Sequence, residues 1–377
     1  MLFQEAKQAV KQVKPAVKYK FQPRTEFPDY RVNLADFKGH QSKALTKMGQ
    51  LAPQIDLVLE LRDARSPIST TNVLINRVFK DKQKLVLYSK KDMSTLGSRL
   101  LDKWHKPLNE NWQFVDCRST KDVERLLKTL RDTFYKMYPP PPLGLRLMVV
   151  GMPNVGKSTL VNNLRRKGLG KKNLRTNKSV ARVGNHAGVT RKTSEIIRIS
   201  EEPEILLYDT PGVLLPQVND IKTMLSLSLI GTVSLSNVDP VIACDYLLYV
   251  MNLHDPTGKP YRQYLGRPTN DILELLGGLA KKTKRYAKTR DGNRKPDYNG
   301  CALQVLADFQ KGKLGRWCLD MGVLNKQSGE EFKNQLKVEK DRVDSMDAEI
   351  NRVRDPQDLK KDFHQRRAEK SNQLFDI

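Results

Sequence analysis

The chain lacks any long hydrophobic run. Its richest apolar stretches, 145–153 and 241–253, are core-length, well short of the ~18–20 consecutive apolar residues of a membrane-spanning helix, which excludes an integral membrane reading. Cysteine is scarce. Cys117, Cys244, Cys301 and Cys318 stand far apart, with no C-x-x-C pair and no histidine at zinc spacing. That pattern speaks against a disulfide framework and a structural metal and for a reducing compartment. Aromatics are few at 7%, and no internal repeat is visible. Acids are in short supply: 42 Asp and Glu face 67 Lys and Arg, a formal net charge of +25. Such a charge opposes folding through self-repulsion, so it concerns partners. Polyanions are the natural ones, nucleic acid first and an anionic membrane surface second. A mean hydropathy of −0.57 and 38% apolar residues leave enough for a core. At about 100–200 residues per domain, 377 residues suggest two domains and a tail.

The first 25 residues hold Lys7, Lys11, Lys14, Lys18, Lys20 and Arg24 against the single acid Glu5. Leu2, Phe3, Ala6, Val10, Val13 and Val17 recur at roughly helical spacing. A basic, acid-poor amphipathic arm fits a mitochondrial targeting segment. It fits an RNA-binding arm almost as well, and composition leaves both open.

Three short apolar runs ending in polar loops precede residue 120: Ile55–Leu61, Lys84–Tyr88 and Trp112–Val115. Helical patterns lie at 69–80, 96–106 and 120–137. Further strands are expected at Arg146–Val150, 194–199 and 205–208, making six in all. Strands alternating with helices predict a doubly wound, mostly parallel α/β sheet. Pro139–Pro142 form a stiff connector that no helix continues through. Beyond about 215 the pattern becomes helical, with helices at 219–231, 240–252, 269–288 and 302–311 and a long charged segment at 329–375 that is either a solvated helix or disordered.

Gly151-Met-Pro-Asn-Val-Gly156-Lys157-Ser158 matches G-x-x-x-x-G-K-[ST], between an apolar strand and a helical pattern opening at Lys157. Glycines let backbone N–H groups approach phosphate oxygens, Lys157 adds charge at the β- and γ-phosphates, and the Ser158 hydroxyl can ligate Mg²⁺. Asp209-Thr-Pro-Gly212 follows the run Ile205–Tyr208. An Asp at a strand end can hold the Mg²⁺ shell, and a Gly N–H can sense the γ-phosphate. D-x-x-G alone says little; downstream of a phosphate loop and behind a strand it says much more. Between them, Thr190 of Gly188-Val-Thr-Arg191 can supply a second hydroxyl to Mg²⁺ in a switch loop.

A guanine reader of the N-K-x-D type is absent from 213 onward; Lys295/Asp297 and Lys360/Asp362 follow no apolar strand. The candidate lies upstream, at Ser89-Lys90-Lys91-Asp92, directly after Leu85–Tyr88. Asp92 can accept from the guanine N1–H and N2–H₂ edge, and Lys90 can lay its stem over the base. The order is therefore guanine motif, phosphate loop, switches: a circular permutation of the usual one. Val213 follows Gly212 where a water-orienting Gln would stand, so unaided GTP turnover should be slow.

That order, with Asp63-Ala-Arg65-Ser-Pro67 ahead of it, closely resembles the circularly permuted GTPases of ribosome assembly, over roughly 35–320. Within them it is similar to the RbgA/YlqF branch and its mitochondrial counterpart. The residues that carry the likeness are Phe37-Lys-Gly-His40 with Lys43-Ala44, the DAR-x-P element, Gly151–Thr159, Gly188–Arg191, Asp209–Gly212 and Asp308–Arg316. The resemblance implies GTP and GDP binding by Ser89, Lys90, Asp92, Asn154, Val155, Gly156, Lys157, Ser158, Thr159, Asp209 and Gly212. It implies Mg²⁺ at Ser158, Thr190 and Asp209, and a K⁺ ion at Asn154. His40, with Thr190 and Gly212, would complete catalysis on meeting the ribosome. Ser89 departs from the usual Asn, removing an amide that would contact the base and brace the phosphate loop. The fifth motif, usually Ser-Ala, is at best Arg118-Ser119.

Ten Lys and Arg and no acid lie between Arg165 and Ser194, and a second basic cluster with Tyr286 and Tyr298 interleaved spans Lys281–Lys295. Both suit a phosphate backbone. The expected organisation is a basic arm at 1–34 and a permuted GTPase domain at 35–215, with the first switch around 165–193 and the second at 209–213. A smaller all-α RNA- or ribosome-binding domain at 216–335 and a charged tail at 336–377 follow. The function implied is a monomeric mitochondrial matrix GTPase that binds the large ribosomal subunit and its rRNA, acts in ribosome assembly and hence translation, and is stimulated by the ribosome. It is compatible with peripheral attachment to the inner membrane. The alternatives are a GTP-dependent RNA-binding switch with negligible hydrolysis and a GTPase acting on another RNA.

Overall fold

The apolar runs become the six strands of one sheet: β1 (Leu57–Asp63), β2 (Gln83–Ser89), β3 (Asn111–Phe114), β4 (Leu145–Gly151), β5 (Ile196–Ser200) and β6 (Ile205–Asp209). Their order is β3-β2-β1-β4-β6-β5, parallel throughout except for β5, which runs antiparallel to β6 at the edge. β1 and β4 are buried along nearly their whole length, as expected for a parallel sheet covered on both faces. This computed structural model describes residues 21–34, 39–169, 196–215, 218, 220–235, 238–288, 293–326 and 328–352.

The helices of the sheet-bearing part are α1 (Gly39–Leu51), α2 (Val73–Val78), α3 (Ser98–His105), α4 (Thr120–Lys136), α5 (Lys157–Gly168) and α6 (Ile221–Leu229). α4 shows why such segments form. Ser119 caps it by accepting from the Asp122 N–H, and Val123, Leu126, Leu127 and Leu130 give it one buried stripe. The extended residue Met137 and the prolines after it end the helix. α2 is shorter than the pattern at 69–80 suggests, because Asn72 caps it by accepting from the Leu74 N–H.

Two compact units divide the chain: Asp29–Asp239 with Ala307–Ile377, and Met1–Pro28 with Pro240–Leu306. Residues 216–239 and 307–335 therefore belong with the sheet, whereas the expected boundaries lay at 215/216 and 335/336. The physical tie is visible at Asp320, whose buried carboxylate accepts from the Ser69 hydroxyl at 2.7 Å and the Ile68 and Ser69 N–H groups. The second unit contains α7 (Pro240–His254), α8 (Ile272–Thr283), most of α9 (Tyr298–Gln310) and a hairpin, β7 (Tyr286–Lys288) with β8 (Arg294–Pro296). It is therefore not all-α. The helix expected over 269–288 stops at Thr283, where Lys284 turns left-handed at φ 56°. A charged run with no apolar stripe cannot distinguish a helix from a solvated hairpin. Residues 21–28 pack in this second unit, through the Arg24–Asp245 ion pair at 2.6 Å and Phe27 edge-on to Tyr246. Half-buried or exposed, they pack onto this unit rather than standing as a separate arm; residues 1–20 lie outside the described set. In the sheet-bearing unit, α10 (Met321–Lys326) is followed by α11 (Gly329–Arg352); the remainder of the charged tail lies outside the described residues. Among the described residues, no helix is long and apolar enough to cross a membrane.

Candidate nucleotide-binding site

The chain runs β1, β2, β3 to one side of the sheet and then returns through β4 to the other, so β1 and β4 flank the point where strand order reverses. Ligands of open α/β sheets sit beyond the carboxyl ends of the strands at such a point. Four of the motifs found in the sequence begin there: Asp63 closes β1, Ser89 closes β2, Gly151 closes β4 and Asp209 closes β6.

The phosphate loop runs from Gly151 to the first turn of α5. Gly151 has φ +143°, and a Cβ there would stand 2.4 Å from the Leu61 carbonyl oxygen. Gly156 has φ +106° and precedes the helix as its N-cap. These backbone shapes suit glycine and leave the N-terminal N–H groups of a twelve-residue helix turned outward, an anion cradle. Lys157 folds back onto the loop, donating to the Met152 carbonyl at 2.7 Å and the Gly151 carbonyl at 3.1 Å. Burial pushes its ammonium down to about 8, against the attraction of Asp209. Burial likewise pushes the Asp209 carboxyl up to about 6, with Lys157 pulling the other way. A buried carboxylate raised in this way is favoured by a cation beside it. Ser158, half-buried on the first turn of α5, and Asp209 on the strand next to β4 form a hard oxygen donor set that fits Mg²⁺. Val155 is buried, and Thr159 follows Ser158 in α5.

Gly212 lies directly on the phosphate loop: a Cβ there would come within 2.5 Å of Pro153 N and 2.6 Å of its Cα. Val213 is fully buried, so its side chain is core in addition to being unable to orient water. Thr190 lies outside the described residues. His40 falls in the first turn of α1, and its neighbour Gln41 accepts from the Leu214 N–H at 2.8 Å. The start of α1 is thereby tied to the segment after Gly212. Nothing further is described of the His40 side chain.

On the other flank, Ser89 braces the phosphate loop after all. Its hydroxyl donates to the Val155 carbonyl at 2.6 Å, so the shorter side chain keeps the brace that an Asn would have made. Lys90, left-handed at φ 54°, donates to the Asn154 carbonyl at 2.8 Å and pairs with Asp63 at 2.9 Å. Asp63 is also gripped by Arg65 at 2.8 Å. Burial opposes its charge, but Arg65 and Lys90 outweigh burial and hold the carboxyl far below the usual carboxylate range. Asp92 is the middle residue of a short 3-10 turn, Lys91–Met93, and is exposed, where a base edge can reach it. The Asn154 side chain donates to the Gly231 carbonyl at 2.7 Å.

Of the candidate fifth motif, Arg118-Ser119, the serine is taken up by the fold. Ser119 is used as the cap of α4. Cys117, two residues earlier, instead lies against the loop, its Sγ 3.3 Å from where a Gly156 Cβ would be, and its carbonyl accepts from Asn163 of α5. Burial pushes this thiol up to about 12, so it serves as inert packing. Sequence reasoning missed Gln41, Asn72, Cys117 and Asp320. Each acts largely through backbone groups of distant segments, and only a capping position hints at Asn72.

A family model described as 50S ribosome-binding GTPase matches residues 146–286. Mitochondrial GTPase 1 of Saccharomyces cerevisiae is 44% identical over 278 residues, spanning 69% of this chain and 76% of the yeast protein. Mitochondrial ribosome-associated GTPase 1 of Bos taurus is 33% identical over 307 residues, 78% of this chain and 91% of the bovine one. Among solved structures, the GDP-bound structure of TM YlqF has a TM-score of 0.46 at 20% identity, covering 72% of this chain and 97% of that one. With relatives this similar over most of their length, the chain belongs to the mitochondrial GTPase 1 family.

Proposed function

We propose that this GTPase binds the large ribosomal subunit of mitochondria and its rRNA in the matrix and gates a step of subunit assembly, and hence translation, by ribosome-stimulated GTP hydrolysis. The observation that carries the RNA reading is the surface of the second unit. Every residue from Lys281 to Lys288 is exposed, as are Arg294 and Lys295 of the paired strand. A projecting basic hairpin with Tyr286 on it suits phosphates and a stacked base. The names of the mammalian relatives, which include association with the ribosome, point the same way.

In this reading Asn154, Val155, Gly156, Lys157, Ser158 and Thr159 hold the phosphates, and Ser89, Lys90 and Asp92 hold the guanine. Ser158, Asp209 and Thr190 would hold Mg²⁺, which neutralises charge between the β- and γ-phosphates. Gly212 presents its N–H to the γ-phosphate, and His40 completes the site when the ribosome docks. Asn154 would turn its Oδ1 to a K⁺ ion while its amide holds Gly231. Peripheral contact with the inner membrane is compatible with the same basic surface.

The test is GTP turnover by the purified chain in K⁺ buffer, alone and with mitochondrial large or small subunits. Stimulation by large subunits only, lost in His40→Ala, is the expected result. Stimulation by neither would leave a nucleotide-dependent RNA-binding protein. Equal turnover in Na⁺ would remove the K⁺ ion from the site.

A further inference from the structure

The segment after Gly212 is held in an unusual way. Buried backbone groups need partners, which regular secondary structure normally supplies. Here the peptide joining Val213 to Leu214 is buried yet belongs to no helix or strand. Its carbonyl accepts from Asn72 Nδ2 at 2.8 Å, and its N–H donates to Gln41 Oε1 at 2.8 Å. The preceding N–H, that of Val213, reaches the Gly151 carbonyl of the phosphate loop at 3.3 Å. Two side chains, 141 and 173 residues away in sequence, thus grip both edges of one peptide plane. Each is itself fixed. Asn72 is fully buried, and its Oδ1 caps α2 through the Leu74 N–H at 2.9 Å. Gln41 lies on the buried face of α1 with Ala44 and Met48.

We propose that Asn72 and Gln41 are positioning residues for γ-phosphate recognition: they clamp the Val213–Leu214 peptide so that Gly212 is held against the phosphate loop with its N–H available to the third phosphate. The inference rests on reading Gly212 as the γ-phosphate sensor. It gives GTP, and not GDP, the benefit of the clamp, because only GTP carries the group that Gly212 would meet. A residue that merely supported the fold would weaken both nucleotides together.

Asn72→Asp separates the two duties of Asn72. The carboxylate keeps the cap oxygen, which Asp supplies as well as Asn, but loses the donor and sets an oxygen against the Val213 carbonyl. Gln41→Met keeps shape and loses the acceptor, whereas Gln41→Glu restores it. The full chain is titrated with fluorescent GDP and with a fluorescent non-hydrolysable GTP analogue, and the ratio of the two affinities is read. Asn72→Asp and Gln41→Met should each lower the preference for the GTP analogue by about fivefold to tenfold, the factor expected for one lost hydrogen bond. GDP affinity should stay within about twofold of wild type, well inside that factor, and Gln41→Glu should recover the preference. Gly212→Ala is the control that blocks the sensor itself. A ratio moved by Gly212→Ala but by neither clamp variant would overturn the clamp, as would equal losses for both nucleotides. A ratio unmoved by Gly212→Ala would overturn the sensor reading and the clamp with it.

Discussion

Asp63 offers a quantitative test of how the Lys90 flank of the site is built. Its carboxylate is buried at the end of β1 and accepts from the Arg65 N–H and Nε, both at 3.0 Å, from Arg65 Nη2 at 2.8 Å, and from Lys90 at 2.9 Å. Asp63→Asn keeps the shape but leaves Arg65, itself buried, and Lys90, 27% exposed in its side chain, without their shared anion. Removing one partner of a buried ion pair costs about 3–5 kcal/mol. The partial exposure of Lys90 places the expected loss near the lower end, about 3 kcal/mol. Urea unfolding followed by tryptophan fluorescence measures it cleanly, because all three tryptophans, Trp104, Trp112 and Trp317, lie in the sheet-bearing unit. The folded carboxyl titrates below its unfolded value, so its contribution is complete above the unfolded pKa of about 4 and is lost as pH falls towards the folded one. The gap between wild type and Asp63→Asn should therefore be flat from about pH 6 to pH 8 and close below about pH 4. A gap under about 1 kcal/mol at neutral pH, or one that closes between about pH 5 and pH 7, would refute the reasoning.

Other consequences can be checked in parallel. Gly151→Ala should abolish nucleotide binding by isothermal titration, since its Cβ would stand 2.4 Å from a strand carbonyl that cannot yield. Ser89→Ala should weaken GDP by about fivefold through the lost hydrogen bond to the Val155 carbonyl; unchanged affinity would show that the brace is idle. Replacing Lys281, Lys282, Lys288 and Arg294 by Gln should make rRNA binding less sensitive to salt, the logarithmic slope falling by roughly 0.7–0.9 for each phosphate no longer neutralised, with GDP affinity unaltered.

Several elements were legible because their signal is local. The phosphate loop carries its own spacing, and β4 and α5 stand on either side of it as the apolar run and the helical pattern predict. α4 stands at Thr120–Lys136, where the helical pattern over 120–137 places it. The hairpin β7–β8 was not legible, because a solvated basic run has neither a stripe nor an alternation to reveal its period. Nor was the place of residues 21–28, where Arg24 and Phe27 find partners on α7 more than two hundred residues later. Ser89 was read by its difference from Asn; only its hydrogen bond to Val155 showed that the hydroxyl still does the bracing.

By itself the sequence determined the groups on offer: the glycines, lysine and hydroxyl of the phosphate loop, the carboxylate of Asp209, the upstream Ser89–Asp92 segment and an excess of positive charge. These depend on residue type and short spacing, which a chain displays before it folds. Tertiary structure decided how those groups are held. Asn72 and Gln41 on Val213–Leu214, Lys90 on Asp63 and Asn154, and Asp320 on Ser69 all bridge segments distant in sequence. Most of these bonds end on backbone groups, and every residue carries the same carbonyl and nearly every one the same N–H. Only the approach of strands and helices selects which one is met.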